Sequence, residues 1–116
     1  FRSKPLGLTT VVCANTSGIA AAVASLNPDM IAVEPPELIG SGVAVSKAKP
    51  EIVTDTVSRI RRINSDVLIL CGAGITSGQD VKAALELGTQ GILVASGIVK
   101  AKNQAAAIED LASACR

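Results

Sequence analysis

The chain has 116 residues and a formal net charge of +1, from 11 basic and 10 acidic side chains, with one Phe and no Tyr, Trp or His. That length fits one domain or part of one, and the charge balance argues against nucleic acid or anionic lipid as the main partner. The missing aromatics exclude a base-stacking platform, and the missing histidine removes Ser-His-Asp and Cys-His nucleophile systems and most zinc catalysis.

A core without aromatics must be built from Val, Ile, Leu and Ala, which suits a parallel sheet wrapped by Ala-rich helices better than a sandwich. The first strand-like run is Thr9–Cys13, followed by a helical stretch over Thr16–Leu26 with Thr16 or Ser17 as N-cap and Asn27-Pro28 as its stop. The second run, Met30–Val33, leads into a long loop and then a helix over Pro50–Ile63. Pro50 suits a first helical turn, and Ile52, Val53, Val57, Ile60 and Ile63 fall on one stripe. The third, Val67–Cys71, precedes a helix over Gly78–Leu87, capped by Ser77 and closed by Gly88. The fourth, Gly91–Val94, precedes a short turn and a helix over Gln104–Ala114 capped by Asn103.

The organisation is therefore α/β, four consecutive βα units, with strand starts about 21, 37 and 24 residues apart. Each strand is short and apolar on both faces, as expected for strands covered on both sides. Four such units are half of a (β/α)8 barrel or a small open doubly wound sheet, and the unpaired edges invite another chain. The extra length of the middle interval lies in the loop after the second strand, where long loops tend to be functional. Cys13, Cys71 and Cys115 are odd in number and widely spaced, so they read as buried thiols in a reducing cytosol. No apolar run approaches a membrane span, and Phe1-Arg2-Ser3-Lys4 leads into no signal-peptide core. A soluble cytoplasmic protein is expected, with no metal and no cofactor.

In parallel α/β folds the working face lies at the C-terminal strand ends. The second strand ends in Glu34, a carboxylate flush with an apolar run, which reads either as a loop cap paired with a lysine or as a general base. Glu37 reads as a solvated loop charge or a hinge contact. Pro35-Pro36 is stiff and Gly40-Ser41-Gly42 permissive, so this stretch reads either as a plain turn or as a lid whose N–H groups approach an anion. The third strand ends in Cys71-Gly-Ala-Gly-Ile75, and the fourth runs into Val94-Ala-Ser-Gly97. Small residues in the last two loops, beside a short helix N-terminus, are how a barrel binds phosphate through backbone amides. The alternative is tight packing that needs small residues.

Taken together, Ile31-Ala-Val-Glu-Pro-Pro-Glu-Leu-Ile-Gly-Ser-Gly42 with Ser46-Lys-Ala-Lys-Pro-Glu51, Leu70-Cys-Gly-Ala-Gly-Ile75 and Gly91-Ile-Leu-Val-Ala-Ser-Gly-Ile-Val-Lys-Ala-Lys102 resemble the C-terminal half of an archaeal-type triosephosphate isomerase. The resemblance covers essentially the whole chain, and it implies units five to eight of the barrel and a place in glycolysis and gluconeogenesis. By position, Glu34 would be the base that moves a proton between two carbons of dihydroxyacetone phosphate or glyceraldehyde 3-phosphate. Pro35 to Gly42 would be the lid, and Ile39, Gly40, Gly74, Ala95 and Ser96 would hold the phosphate. The family is itself a standing example of acid–base chemistry under a closing loop, so these roles are carried over from it. The lid normally carries Gly-Thr-Gly, and Ser41 retains a hydroxyl.

The family also needs a lysine, with an asparagine, after its first strand and a histidine after its fourth. Both belong to the N-terminal half, and Lys47, Lys49 and Lys100 follow the wrong strands to substitute for the lysine. The chain start falls inside what the family makes a helix, which suggests a fragment, a split product or a truncated frame. The expected partners are a triose phosphate and either an N-terminal half-barrel or a second copy of the chain, giving an oligomer. The competing readings are a non-catalytic, self-associating phosphate-binding half-barrel and another phosphate-binding barrel enzyme, which would leave the lid unexplained.

Overall fold

The computed structural model describes residues 2–116; Phe1, the first residue of the expected helical start, lies outside the described residues. Lys4–Leu6 forms a single 3-10 turn, and Gly7, with φ of 74°, ends it in the left-handed region. The regular elements are β1 (Val11–Ala14), α1 (Ser17–Ala24), β2 (Met30–Val33), α2 (Val45–Ala48), α3 (Pro50–Ile63), β3 (Leu68–Cys71), α4 (Gly78–Glu86), β4 (Gly91–Ile92), α5 (Ser96–Val99) and α6 (Gln104–Ser113). β2 and α3 keep the bounds read from sequence. α1 ends two residues early and β4 keeps two residues of the four expected. The caps fall where the side chains allow: the Thr16 hydroxyl accepts from the Ile19 N–H at 3.2 Å, and Asn103 accepts from Ala106 N–H at 3.1 Å.

All four strands are parallel, in the order β1-β2-β3-β4. That order decides between the two architectures left open above. A doubly wound sheet reverses its winding partway, whereas right-handed crossovers that always step the same way put every helix on one face. The sheet is therefore half of a (β/α)8 barrel.

The register separates two rows of side chains. Ile31 and Ile69 stand opposite each other, as do Ala14, Val33, Cys71 and Ile92. This row faces the helices and makes the core: Ile31 and Ile69 pack with Ala20, Ala24 and Ile60, while Cys71 packs with Val45, Val53, Val81 and Leu111. The other row holds Val11, Cys13, Met30, Ala32, Leu68, Leu70 and Gly91, and there the expectation of strands covered on both sides fails. Val11 is 46% exposed, Leu68 43%, and Cys13 is exposed, as is Cys115 near the chain's end, so of the three thiols expected to be buried Cys71 alone is. The physical reason is the single winding direction: no helix reaches that face, so apolar residues on it await other strands rather than helices.

Candidate functional site

Glu34 follows β2 directly, and the sheet still holds its backbone. Its N–H donates to the Ala14 carbonyl at 2.9 Å, and the next residue, Pro35, is fully buried. The side chain falls on the row without helices, where it lies across Gly72; a Cβ on Gly72 would collide with the Glu34 Cγ and carboxylate. Among the described residues Glu34 pairs with no cation, so the loop-cap reading with a lysine has no partner to offer. Its near neighbour is Cys13, whose thiol is pushed up by burial and then by the Glu34 carboxylate beside it. On the opposite face Cys71 is pushed up to about 12, first by burial and then by the Glu34 charge, so it stays a neutral thiol at ordinary pH.

The segment after Glu34 is more ordered than its glycines suggest. Pro36–Leu38 is a 3-10 turn, and Ser41 closes the next one: its N–H and hydroxyl both donate to the Leu38 carbonyl, at 3.1 and 2.7 Å. The Ser41 hydroxyl also accepts from Val43 N–H at 3.0 Å. Gly40 and Gly42 have φ of 72° and 76° with open space where a Cβ would sit, so glycine is required there by backbone angle alone. Glu37 does pair, with Lys49, and its carboxyl is held below the ordinary range by that hydrogen bond.

The β3–α4 loop seats the far end of this segment. Ala73 has a φ of 70°, which costs a non-glycine residue about 1–3 kcal/mol where the surroundings hold it. Its carbonyl accepts from Val45 N–H at 3.2 Å, and Gly74 lies so close to the Val43 carbonyl that a Cβ would overlap it. Two helix N-termini border the site and differ sharply. At α4, Thr76 and Ser77 N–H donate to Asp80, Asp80 N–H donates back to Ser77, and Gly78 N–H donates to Asp110 at 2.8 Å. Burial pushes Asp80 up, but Lys47 and these N–H bonds outweigh it and leave its carboxyl below the ordinary range. At α5, by contrast, no acid caps the start.

Glu34, Ile39, Gly40, Gly74, Ala95 and Ser96 line one small open cleft, with Ala73, Ile75, Leu93 and Val94 as its walls. Among the described residues, no protein group accepts from the N–H of Gly40, Gly74, Ala95 or Ser96, whereas Ile39 N–H donates to the Pro36 carbonyl at 3.3 Å. The cleft thus offers one carboxylate, unpaired amides at these four residues and at Ala73, Ile75 and Val94, and no basic side chain. Such a set can take up an anion through backbone dipoles while presenting a base a short way off. No cluster of metal-ligating side chains occurs among the described residues, and no helix is long and apolar enough to cross a membrane. Sequence reasoning missed Cys13, Gly72 and Ala73. Register parity could have found the first two, since residues 13, 34 and 72 share a face once the strands are aligned.

Residues 4–114 match the family model described as triosephosphate isomerase. The triosephosphate isomerase of Methanocaldococcus jannaschii is 60% identical over 110 residues, covering 95% of this chain and 50% of that protein. Its counterpart in Methanothermus fervidus is 58% identical, covering 90% and 47%, and that of Archaeoglobus fulgidus is 56% identical, covering 95% and 49%. The chain spans about half the length of the curated relatives it matches. Among solved structures, a pyruvate-bound mutant of flavocytochrome b2 superposes with a TM-score of 0.66 at 18% identity, covering 94% of this chain and 28% of that one. A mandelate oxidase mutant reaches 0.65 at 22% identity, covering 91% and 34%. At those identities the likeness is one of fold.

Proposed function

The chain belongs to the triosephosphate isomerase family, and from that premise we propose that its cleft is half of an isomerase site, the half that holds the base, the lid and the phosphate. The observation that carries this reading is the union, in one cleft, of a carboxylate paired with no cation and a set of unpaired backbone amides, those of Gly40, Gly74, Ala95 and Ser96 among them. The substrate is a triose phosphate. The N–H groups of Gly40, Gly74, Ala95 and Ser96 take the phosphate oxygens, aided at Ser96 by the dipole of the short helix it opens. Ile39 contributes its side chain and fold, since its amide is already used within the turn.

Glu34 then removes a proton from the carbon next to the carbonyl of dihydroxyacetone phosphate. The C–H electron pair becomes the C=C of an enediolate as the carbonyl π pair moves onto its oxygen. A proton passes from the neighbouring hydroxyl to that oxygen, and the protonated Glu34 returns its proton to the former carbonyl carbon, giving glyceraldehyde 3-phosphate. Closure of residues 35–42 excludes water while the enediolate exists. Stabilising the charge that grows on oxygen needs an electrophile, and this sequence has no histidine to serve. The proposed partner is therefore an N-terminal half-barrel, which brings the lysine and histidine and covers the exposed Val11 and Leu68.

The test mixes the chain with an N-terminal half of a relative and assays isomerisation, with Glu34→Gln alongside. Activity on mixing that Glu34→Gln abolishes is the expected result, and activity surviving that change would sink the assignment of the base. The bare apolar row also favours a second reading, a self-associating half-barrel that binds phosphate without catalysis. It predicts a homodimer that binds inorganic phosphate near Gly74 and Ser96, with no turnover under any mixing.

A further inference from the structure

The proposed lid is held at its base by two lysines, one within α2 and one directly after it. The Lys47 Nζ lies 2.6 Å from Asp80 Oδ1, on a carboxylate that is only 6% exposed. The Ser46 hydroxyl beside it donates to the Asp80 carbonyl at 3.3 Å. Asp80 in turn is locked into the start of α4 by Thr76 and Ser77. The segment after the lid is thus fastened to the scaffold through a nearly buried acid. Lys49, the residue between α2 and α3, reaches back to Glu37 in the 3-10 turn before the lid tip. Both members of that second pair are well exposed, at 39% and 51%.

We propose that Glu37 and Lys49 are positioning residues: an ionic latch joining the two ends of the lid, which governs how readily residues 39–43 open over the cleft. The inference rests on the lid reading of residues 35–42 and adds the element that controls it. α2 is a fixed post because Lys47 and Ser46 hold it to α4, so the Glu37–Lys49 pair fastens the N-terminal end of the lid to that post. Between the two ends run the Ser41-braced turn and the left-handed Gly40 and Gly42, and the backbone meets the β3–α4 loop again at Val43 and Val45. The pair is exposed, so its strength is that of a surface ion pair, enough to tune an opening equilibrium and too small to hold the fold. The Lys47–Asp80 pair, whose carboxylate is nearly buried, serves as anchor and the Glu37–Lys49 pair, with both carboxylate and ammonium exposed, as release.

The test uses the chain itself, isotope-labelled, in four forms: wild type, Glu37→Gln, Lys49→Gln and the charge-reversed double variant Glu37→Lys/Lys49→Glu. Hydrogen exchange is read at the Ser41 and Val43 amides, both bonded within the lid, together with the thermal midpoint. Each single variant should speed exchange at those two amides by about 1.4- to 5-fold, with the midpoint unmoved, and charge reversal should restore the wild-type rate. In 1 M salt the wild type should approach the single variants. Equal exchange in all four forms, or a double variant no slower than the singles, overturns the latch. A parallel titration with inorganic phosphate, read at the Gly40, Gly74 and Ser96 amides, separates this inference from the proposed function. If phosphate moves none of them while the exchange pattern holds, the anion site fails and the latch stands.

Discussion

At the N-terminal ends of the four strands most polar groups meet partners within the chain, the buried Arg61 Nη2 excepted, whereas at the C-terminal ends a carboxylate and a set of backbone amides do not. Below the sheet, Asp29 accepts from the Thr10 N–H at 2.7 Å and the Thr10 hydroxyl at 2.8 Å, and Asp29 N–H donates back to that hydroxyl at 3.0 Å. Asn64 accepts from the Asp66 and Val67 N–H groups, Gln90 accepts from Ile69 N–H, and Arg61 donates to the Ser65 and Val67 carbonyls. Above the sheet lie Glu34 without a cation, an Ala73 in the left-handed region and an uncapped α5. Satisfied ends hold a fold together; unsatisfied ends keep affinity in reserve for a ligand. The comparison predicts that substitutions above should cost activity and binding, and those below or between should cost stability.

The largest effects set the two ends of that contrast. Glu34→Gln should lower isomerase activity of the paired halves by about 10²–10⁴-fold. Its unfolding free energy from urea titration should stay within about 0.5 kcal/mol of wild type, because the carboxylate holds no cation among the described residues. Ile69→Ala should do the reverse, costing about 2–5 kcal/mol in urea, because Ile69 is fully buried between Ile31 and Ile60. A stability loss for Glu34→Gln as large as that of Ile69→Ala would break the comparison.

The glycines sharpen it. Gly40→Ala meets no atom and suffers only from a φ of 72°, about 1–2 kcal/mol confined to the lid. It should weaken inorganic phosphate binding by up to about 10-fold and leave the thermal midpoint nearly unmoved. Gly74→Ala carries the same angle penalty and also overlaps the Val43 carbonyl. It should lose both phosphate binding and midpoint. If the two variants behaved alike, the seat of the lid on the β3–α4 loop would not matter.

Much of this was legible in the residues. α3 was readable to the residue because Pro50, a single apolar stripe and the following Asn64 are all local signals. Glu34 stood out because a charge at the end of an apolar strand is a local anomaly, and the six proposed site residues do line one cleft. α2 was missed because Val45–Ala48 makes one turn, too short for any period to declare itself. The positive φ of Ala73 was invisible because alanine carries no turn signal; the contacts with Val43 and Val45 impose it. The bare row was misread because β-branched alternation cannot say what covers a strand, only that something apolar should. The Glu37–Lys49 pair escaped for a related reason: it spans twelve residues of loop, a distance that only the turn at Pro36–Leu38 brings together.

The smallest expected effect lies at the satisfied end. Asp29 has its carboxyl held below the ordinary range, first by the Thr10 backbone N–H, then by the Thr10 hydroxyl and by Lys4. A carboxyl depressed in the folded chain binds its proton less readily there than when unfolded. It therefore stabilises the fold above its unfolded value, near pH 4, and that stabilisation drains away as the pH falls through the folded value. Urea midpoints measured downward from about pH 5 should fall in the wild type and fall less steeply in Asp29→Asn. The slope should not vanish, since Glu37, Asp55 and Asp80 are depressed as well. Above pH 6 the ionised Asp29 keeps its advantage over the amide, so the two curves should converge only in acid. Curves that ran parallel throughout would show that the Asp29–Thr10 pairing holds no strand end in place, and the contrast between the two ends would rest on packing alone.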